Sequence, residues 1–182
     1  MHSLVQLATR RWLDTDEKLE TFKAQYISRI AGDFPTGDYN NWPTCQTLFA
    51  HVEKAISQRP QNDQPLQKWA TVLYNGSWYA KEQGRYSLAA TMAKKSREAR
   101  QTTLGNSHEL TLDSILMVGL ILLNQGKYKN AEKLFVEVME TSKKKLGLDH
   151  PDTLTSMANL ASTYRNQGRW KEAEQLVPVG NG

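Results

Sequence analysis

A single cysteine, Cys45, among 182 residues excludes an internal disulfide and any paired-cysteine metal or redox motif. No stretch approaches the ~18 consecutive apolar residues that a membrane span requires. The sequence contains no G-x-x-x-x-G-K-[ST] phosphate loop, no H-E-x-x-H and no G-x-S-x-G. Its four histidines (His2, His51, His108 and His150) form no cluster with acidic residues. These absences leave no catalytic residue, no metal ligand and no cofactor to expect, and an enzyme would need a convergent polar site that the sequence does not offer. Charge of one sign is also scarce. The net charge is +4, and the basic residues are spread along the chain. The densest cluster, Lys143-Lys144-Lys145, reads as a favourable placement at a helix C-terminus rather than a nucleic-acid patch. Met1 to Leu13 lacks the apolar core and small-residue cleavage site of a secretory signal, so a cytoplasmic protein is expected. On that reading the Asn75-Gly76-Ser77 glycosylation triplet carries little weight.

What is present is a folded-protein composition, 39% hydrophobic and 23% charged, and an internal repeat. Leu104-Gly105-Asn106-Ser107-His108 returns as Leu146-Gly147-Leu148-Asp149-His150, 42 residues later. Asn124-Gln125-Gly126-Lys127-Tyr128 returns as Asn166-Gln167-Gly168-Arg169-Trp170. Residues 104–134 and 146–176 share 13 identities in 31 positions, where chance gives roughly two. One period earlier, Gly84, Tyr86 and Ala89 form a weaker copy of Gly126, Tyr128 and Ala131. A further step back loses the glycine but keeps a helical apolar stripe through Cys45, Leu48, Phe49, Val52 and Ile56, as expected of a terminal repeat. On that stripe Cys45 reads as a buried thiol rather than a reactive one.

Each copy reads as two helices. Gly126 closes the first at a position favouring left-handed backbone, an aromatic opens the second, and Ala131 is small enough for close packing. His150-Pro151 places proline in the first turn of the next helix, where its missing N–H costs little. First helices are predicted near 15–31, 64–83, 109–125 and 151–167. Second helices are predicted near 43–58, 86–103, 128–145 and 170–177. The implied fold is all-α, with helix-turn-helix repeats of about 42 residues stacked as an α-solenoid. The chain divides into an N-terminal cap helix (1–14), a degenerate first repeat (15–63), repeats over 64–105, 106–147 and 148–178, and a tail (179–182). Val177-Pro178-Val179-Gly180-Asn181-Gly182 stops the last helix after about two turns.

The pattern carried by Leu146, Gly147, His150, Thr153, Leu154, Asn159-Leu160-Ala161, Tyr164, Gln167-Gly168, Trp170 and Glu172-Ala173-Glu174 resembles the kinesin-light-chain type of tetratricopeptide repeat. The middle copy departs from that family at Met117, Val118, Gly119 and Leu122, where Asn, Leu, Ala and Tyr would stand. The resemblance implies a right-handed superhelix, stacked helix pairs and a concave wall lined by the first helices. Met1-His2-Ser3 through Leu13 resembles the end of the winged-helix part of fungal NLR (STAND) proteins, with Ser3 at the acidic position of their Met-His-Asp-type motif. In that family the histidine is associated with the nucleotide phosphate. Without a phosphate loop, His2 is expected only in a capping helix here. The resemblance implies that the chain is a piece of a larger receptor.

In the tetratricopeptide family the Asn of the Asn-Leu-Ala triplet faces the groove, which carries over to Asn159 and, less closely, to Asn75, with Met117 between them. Neighbours three or four residues away share that face. They are Trp78 and Lys81; Asp113, Leu120 and Asn124; and Thr155, Ser162, Arg165 and Asn166. The expected partner is a protein or peptide, with no nucleic acid and no membrane, and the chain itself is expected as a monomer or weak homodimer. For Trp78 a binding role and packing against the first repeat weigh about equally. A second reading starts from the nearly all-round apolar helix holding Leu116, Met117, Leu120, Ile121, Leu122 and Leu123. There the array is an oligomerisation scaffold whose middle repeat another chain covers.

Overall fold

A computed structural model describes residues 18–176; the cap helix 1–14 and the tail 179–182 lie outside the described residues. Eight α-helices follow one another: α1 (Lys18–Asp33), α2 (Trp42–Ala55), α3 (Asp63–Glu82), α4 (Tyr86–Leu104), α5 (Glu109–Asn124), α6 (Tyr128–Leu146), α7 (Pro151–Asn166) and α8 (Trp170–Leu176). One 3-10 turn, Tyr39–Asn41, precedes α2, and no strand occurs among the described residues. From α3 onward each helix packs chiefly on its neighbours in sequence, and α5 also touches α3 and α7. This is the nearest-neighbour packing of a helical solenoid.

The turns repeat because the same residues solve the same backbone problem. Gly126 takes φ +71, and the Lys127 N–H donates back to the Leu122 carbonyl at 2.9 Å, closing α5. Arg85 and Arg169 close α3 and α7 through the same bond. Helices α5 and α7 begin at histidines. Nδ1 of His108 accepts from the Leu110 N–H at 3.2 Å, and Nδ1 of His150 from the Asp152 N–H at 3.3 Å. The recurring histidines are therefore helix caps at the turns between repeats, as their period suggested.

Small residues set how closely the helices approach. Ala89, Ala131 and Ala173, one per repeat, are buried. Gly119 on α5 faces Phe135 of α6, and a Cβ there would sit 2.5 Å from the ring. This explains the middle copy's departure from the family's Ala. The apolar character of α5 has a similar cause. Leu112, Ile115, Met117, Val118 and Ile121 are buried by other helices of the same chain. Leu116, Leu120, Leu122 and Leu123 of the same helix are only half-buried.

The first helix pair is built differently. Helices α1 and α2 scarcely touch each other, and both pack on α3. Their connection lies across α3, with Gly37 against the Tyr79 backbone and the Trp78 indole. Trp42 donates from Nε1 to the Gly37 carbonyl at 3.1 Å, and the rings of Phe34, Phe49, Tyr79 and Trp42 form a contiguous aromatic cluster. Cys45 is fully buried beside this loop, and burial pushes its thiol up from the ordinary value. The core-thiol reading holds.

Candidate functional site

The residues expected to face a partner fall into three groups. On α7, Thr155, Arg165 and Asn166 are exposed, and Asn159 and Ser162 are half-buried. Among the described residues, the Asn159 side chain has no hydrogen-bond partner, and neither does that of half-buried Asn75 on α3. Helix-to-helix bonding within the repeat, the other use for these amides, does not occur. Asn124 is exposed at the end of α5, and Lys81 is paired with Glu82.

Met117 is a correction. It is 4% exposed in the main core, because with α3, α4 and α6 around α5 its side chain has only the interior to enter. Leu120 is half-buried against the cluster of Ala131, Phe135 and Leu160 and offers only an edge. Trp78 is half-buried beneath Gly37 and packed on the core.

Asp113 and Thr155 are brought together. They line a cavity of about 270 Å³ between α5, α6 and the start of α7, with Glu109, Leu116, Ser142 and Asp152 among its other walls. Burial pushes the Asp113 carboxyl up; Arg100 opposes that shift, and Glu109 and Asp152 add to it. Lys145 stands at the rim with Nζ donating to the Ser107 carbonyl at 2.6 Å.

One residue behind the wall was not foreseen. Arg100 on α4 is 3% exposed, with its guanidinium 4.7 Å from the Tyr74 ring centre. Its Nη1 donates to the Leu110 carbonyl at 2.7 Å and to Ser114 Oγ at 3.0 Å. Ser96 completes the polar seam, donating to the Ala70 carbonyl at 2.7 Å and lying 3.2 Å from Ser114 Oγ. The only sequence signal was that Ser142 stands one period later, a large cation exchanged for a small hydroxyl. A second unforeseen contact joins Glu132 to Arg169 and Gln167 at 2.9 Å, across the α6–α7 junction. Glu174, the counterpart of Glu132, is exposed and makes no such contact.

Among the described residues, no helix is long and apolar enough to cross a membrane. Two family models described as tetratricopeptide repeat match residues 69–109 and 112–177. Two crystal structures of nearly identical TPR-like repeats from a kinesin light chain of Podosopora anserina share the fold. One, a single-substitution variant, has a TM-score of 0.54 at 17% identity, covering 96% of this chain and 90% of that one. The other has a TM-score of 0.53 at 18% identity with the same coverage. A nucleotide-binding leucine-rich repeat (NLR)-like protein of Hyaloscypha variabilis is 30% identical over 115 residues, 63% of this chain and 12% of that protein's length. The paired helices, their 42-residue turns and the two family matches together place the chain in the tetratricopeptide-repeat family.

Proposed function

We propose that this chain is a protein-interaction module that holds a peptide or protein partner along the wall formed by α3, α5 and α7. The observation that carries the reading is the unpartnered state of Asn75 and Asn159. Both amides are half-buried on first helices of the repeats, and no group among the described residues engages either side chain. An extended peptide offers one donor and one acceptor per residue, and a side-chain amide can satisfy both. Repeat domains of this kind are binding surfaces, and the NLR-like relative supports a place as the partner-sensing part of a larger receptor.

The test is selection from a displayed library of random peptides on the purified chain. Captured peptides are expected to bind about five- to ten-fold more weakly to Asn159→Ala, the size of one lost hydrogen bond, with helicity unchanged. Failure to capture any peptide, or capture indifferent to both Asn75→Ala and Asn159→Ala, would overturn the reading.

A further inference from the structure

The cavity between α5, α6 and α7 is the counterpart of one that Arg100 borders one repeat earlier, where about 500 Å³ lies open between α1, α3 and the start of α5. Shifting by the 42-residue period converts each partner of the Arg100 guanidinium into a residue of the later junction. Tyr74 becomes Leu116, Leu110 becomes Asp152, Ser114 becomes Ser156, and Arg100 itself becomes Ser142. Of these, Leu116, Asp152 and Ser142 line the cavity. A serine stands in its wall where the earlier copy has an arginine.

The walls change with it. Glu109, Asp113 and Asp152 border the cavity, and at the earlier junction their counterparts are Gln67, Thr71 and Leu110, none of them acidic. Where the internal cation has been lost, three carboxylates have been gained. Ser142 is 1% exposed, lines the cavity, and its hydroxyl has no hydrogen-bond partner among the described residues. Lys145 does not replace the missing guanidinium. It is held by the Ser107 carbonyl and makes no ion pair with any of the three carboxylates. Nor are the carboxylates gathered as metal ligands, since no group of three His, Cys, Asp or Glu among the described residues is placed to hold a metal. A narrow slot with apolar sides (Leu112, Leu116, Val138) and an acidic mouth suits a long aliphatic stem that ends in a planar cation.

We propose that this slot receives an arginine side chain of a bound peptide, which takes the place that Arg100 occupies within the chain itself. The proposal rests on the interaction reading above and gives the partner a required residue. Thr155 and Asp113, both expected on the binding wall, place the slot at the wall's edge, within reach of a peptide lying there.

The slot can be tested without a partner. The whole chain is titrated with N-acetylarginine methylamide and followed by two-dimensional NMR. Amide signals of Asp113, Leu116 and Ser142 are expected to move together and saturate. The uncharged citrulline counterpart is expected to bind at least about ten-fold more weakly, as a lost charge-assisted contact requires. Asp113→Asn should weaken the arginine probe about five-fold, and Ser142→Arg should abolish its binding by refilling the slot. If Ser142→Arg does not fold, Asp152→Asn at the slot mouth serves in its place, with a similar weakening expected. Equal binding of citrulline, equal binding of the lysine counterpart, or no saturable shift would each overturn the proposal. Peptides captured from the display library without an arginine preference would overturn the slot and leave the interaction reading intact. Saturable arginine binding with no captured peptide would do the reverse.

Discussion

Gly119 and Arg100 show how much a single position decides in a tightly packed array. Replacing Gly119 by Ala puts a methyl group 2.5 Å from the Phe135 ring, which is itself fully buried and has no room to withdraw. We expect Gly119→Ala to cost about 1–3 kcal/mol by urea denaturation, even though alanine is the better helix former. Arg100→Met retains most of the stem but removes the bonds to the Leu110 carbonyl and the Ser114 hydroxyl and the positive charge that opposes the upward shift of Asp113. The expected loss is about 2–4 kcal/mol, read by the same denaturation. Arginine was legible in the sequence only as a residue type. That it is buried follows from its place on the inner stripe of α4 with Met92, Ser96 and Ala99, and a charged side chain on such a stripe has no periodic signature of its own.

At the scale of the element, the helices from α3 onward were readable almost to the residue because many of their boundaries carry chemistry: a histidine cap, Pro151 in a first turn, or a glycine at positive φ; α1 and α2 lack these, and α2 stops at Ala55 where 58 was expected. The site was less readable. Carrying the Asn159 position back by one period assigns a face but not its depth, so Met117 was placed on the wall when crowding around α5 puts it in the core. Likewise, no local pattern could show that the loop around Gly37 folds over Trp78. The junction of α6 with α7 and α8 offers a pH test. Burial pulls the Glu132 carboxyl up, but hydrogen bonds from Arg169 and Gln167 outweigh it and hold the group below its usual value. A carboxyl lowered in the folded state contributes stability above its unfolded value and loses it as pH falls through the folded one. Glu132→Gln should therefore lower Tm by about 2 °C at neutral pH. The gap should close below about pH 4, and a gap that widens in acid would refute the pairing.

Over the whole molecule, stability is expected to be graded rather than uniform, because each helix rests mainly on its neighbours. Helices α3 and α4 share the most extensive contact, whereas α1 leans on α3 without a partner of its own and α8 is only seven residues long. Hydrogen exchange should find the slowest amides in α3 and α4 and the fastest helical ones in α1 and α8. Uniform protection would mean that the array unfolds as one block. The histidine caps also give the array internal reporters. In each, Nδ1 accepts a backbone hydrogen bond, which leaves the ring proton on Nε2. His108 and His150 should therefore show the same tautomer in a nitrogen NMR spectrum while their helices are closed. Each ring marks a different turn, so opening of one turn before the other would be visible as one tautomer signal losing its fixed pattern ahead of its twin, with no foreign group attached to the protein.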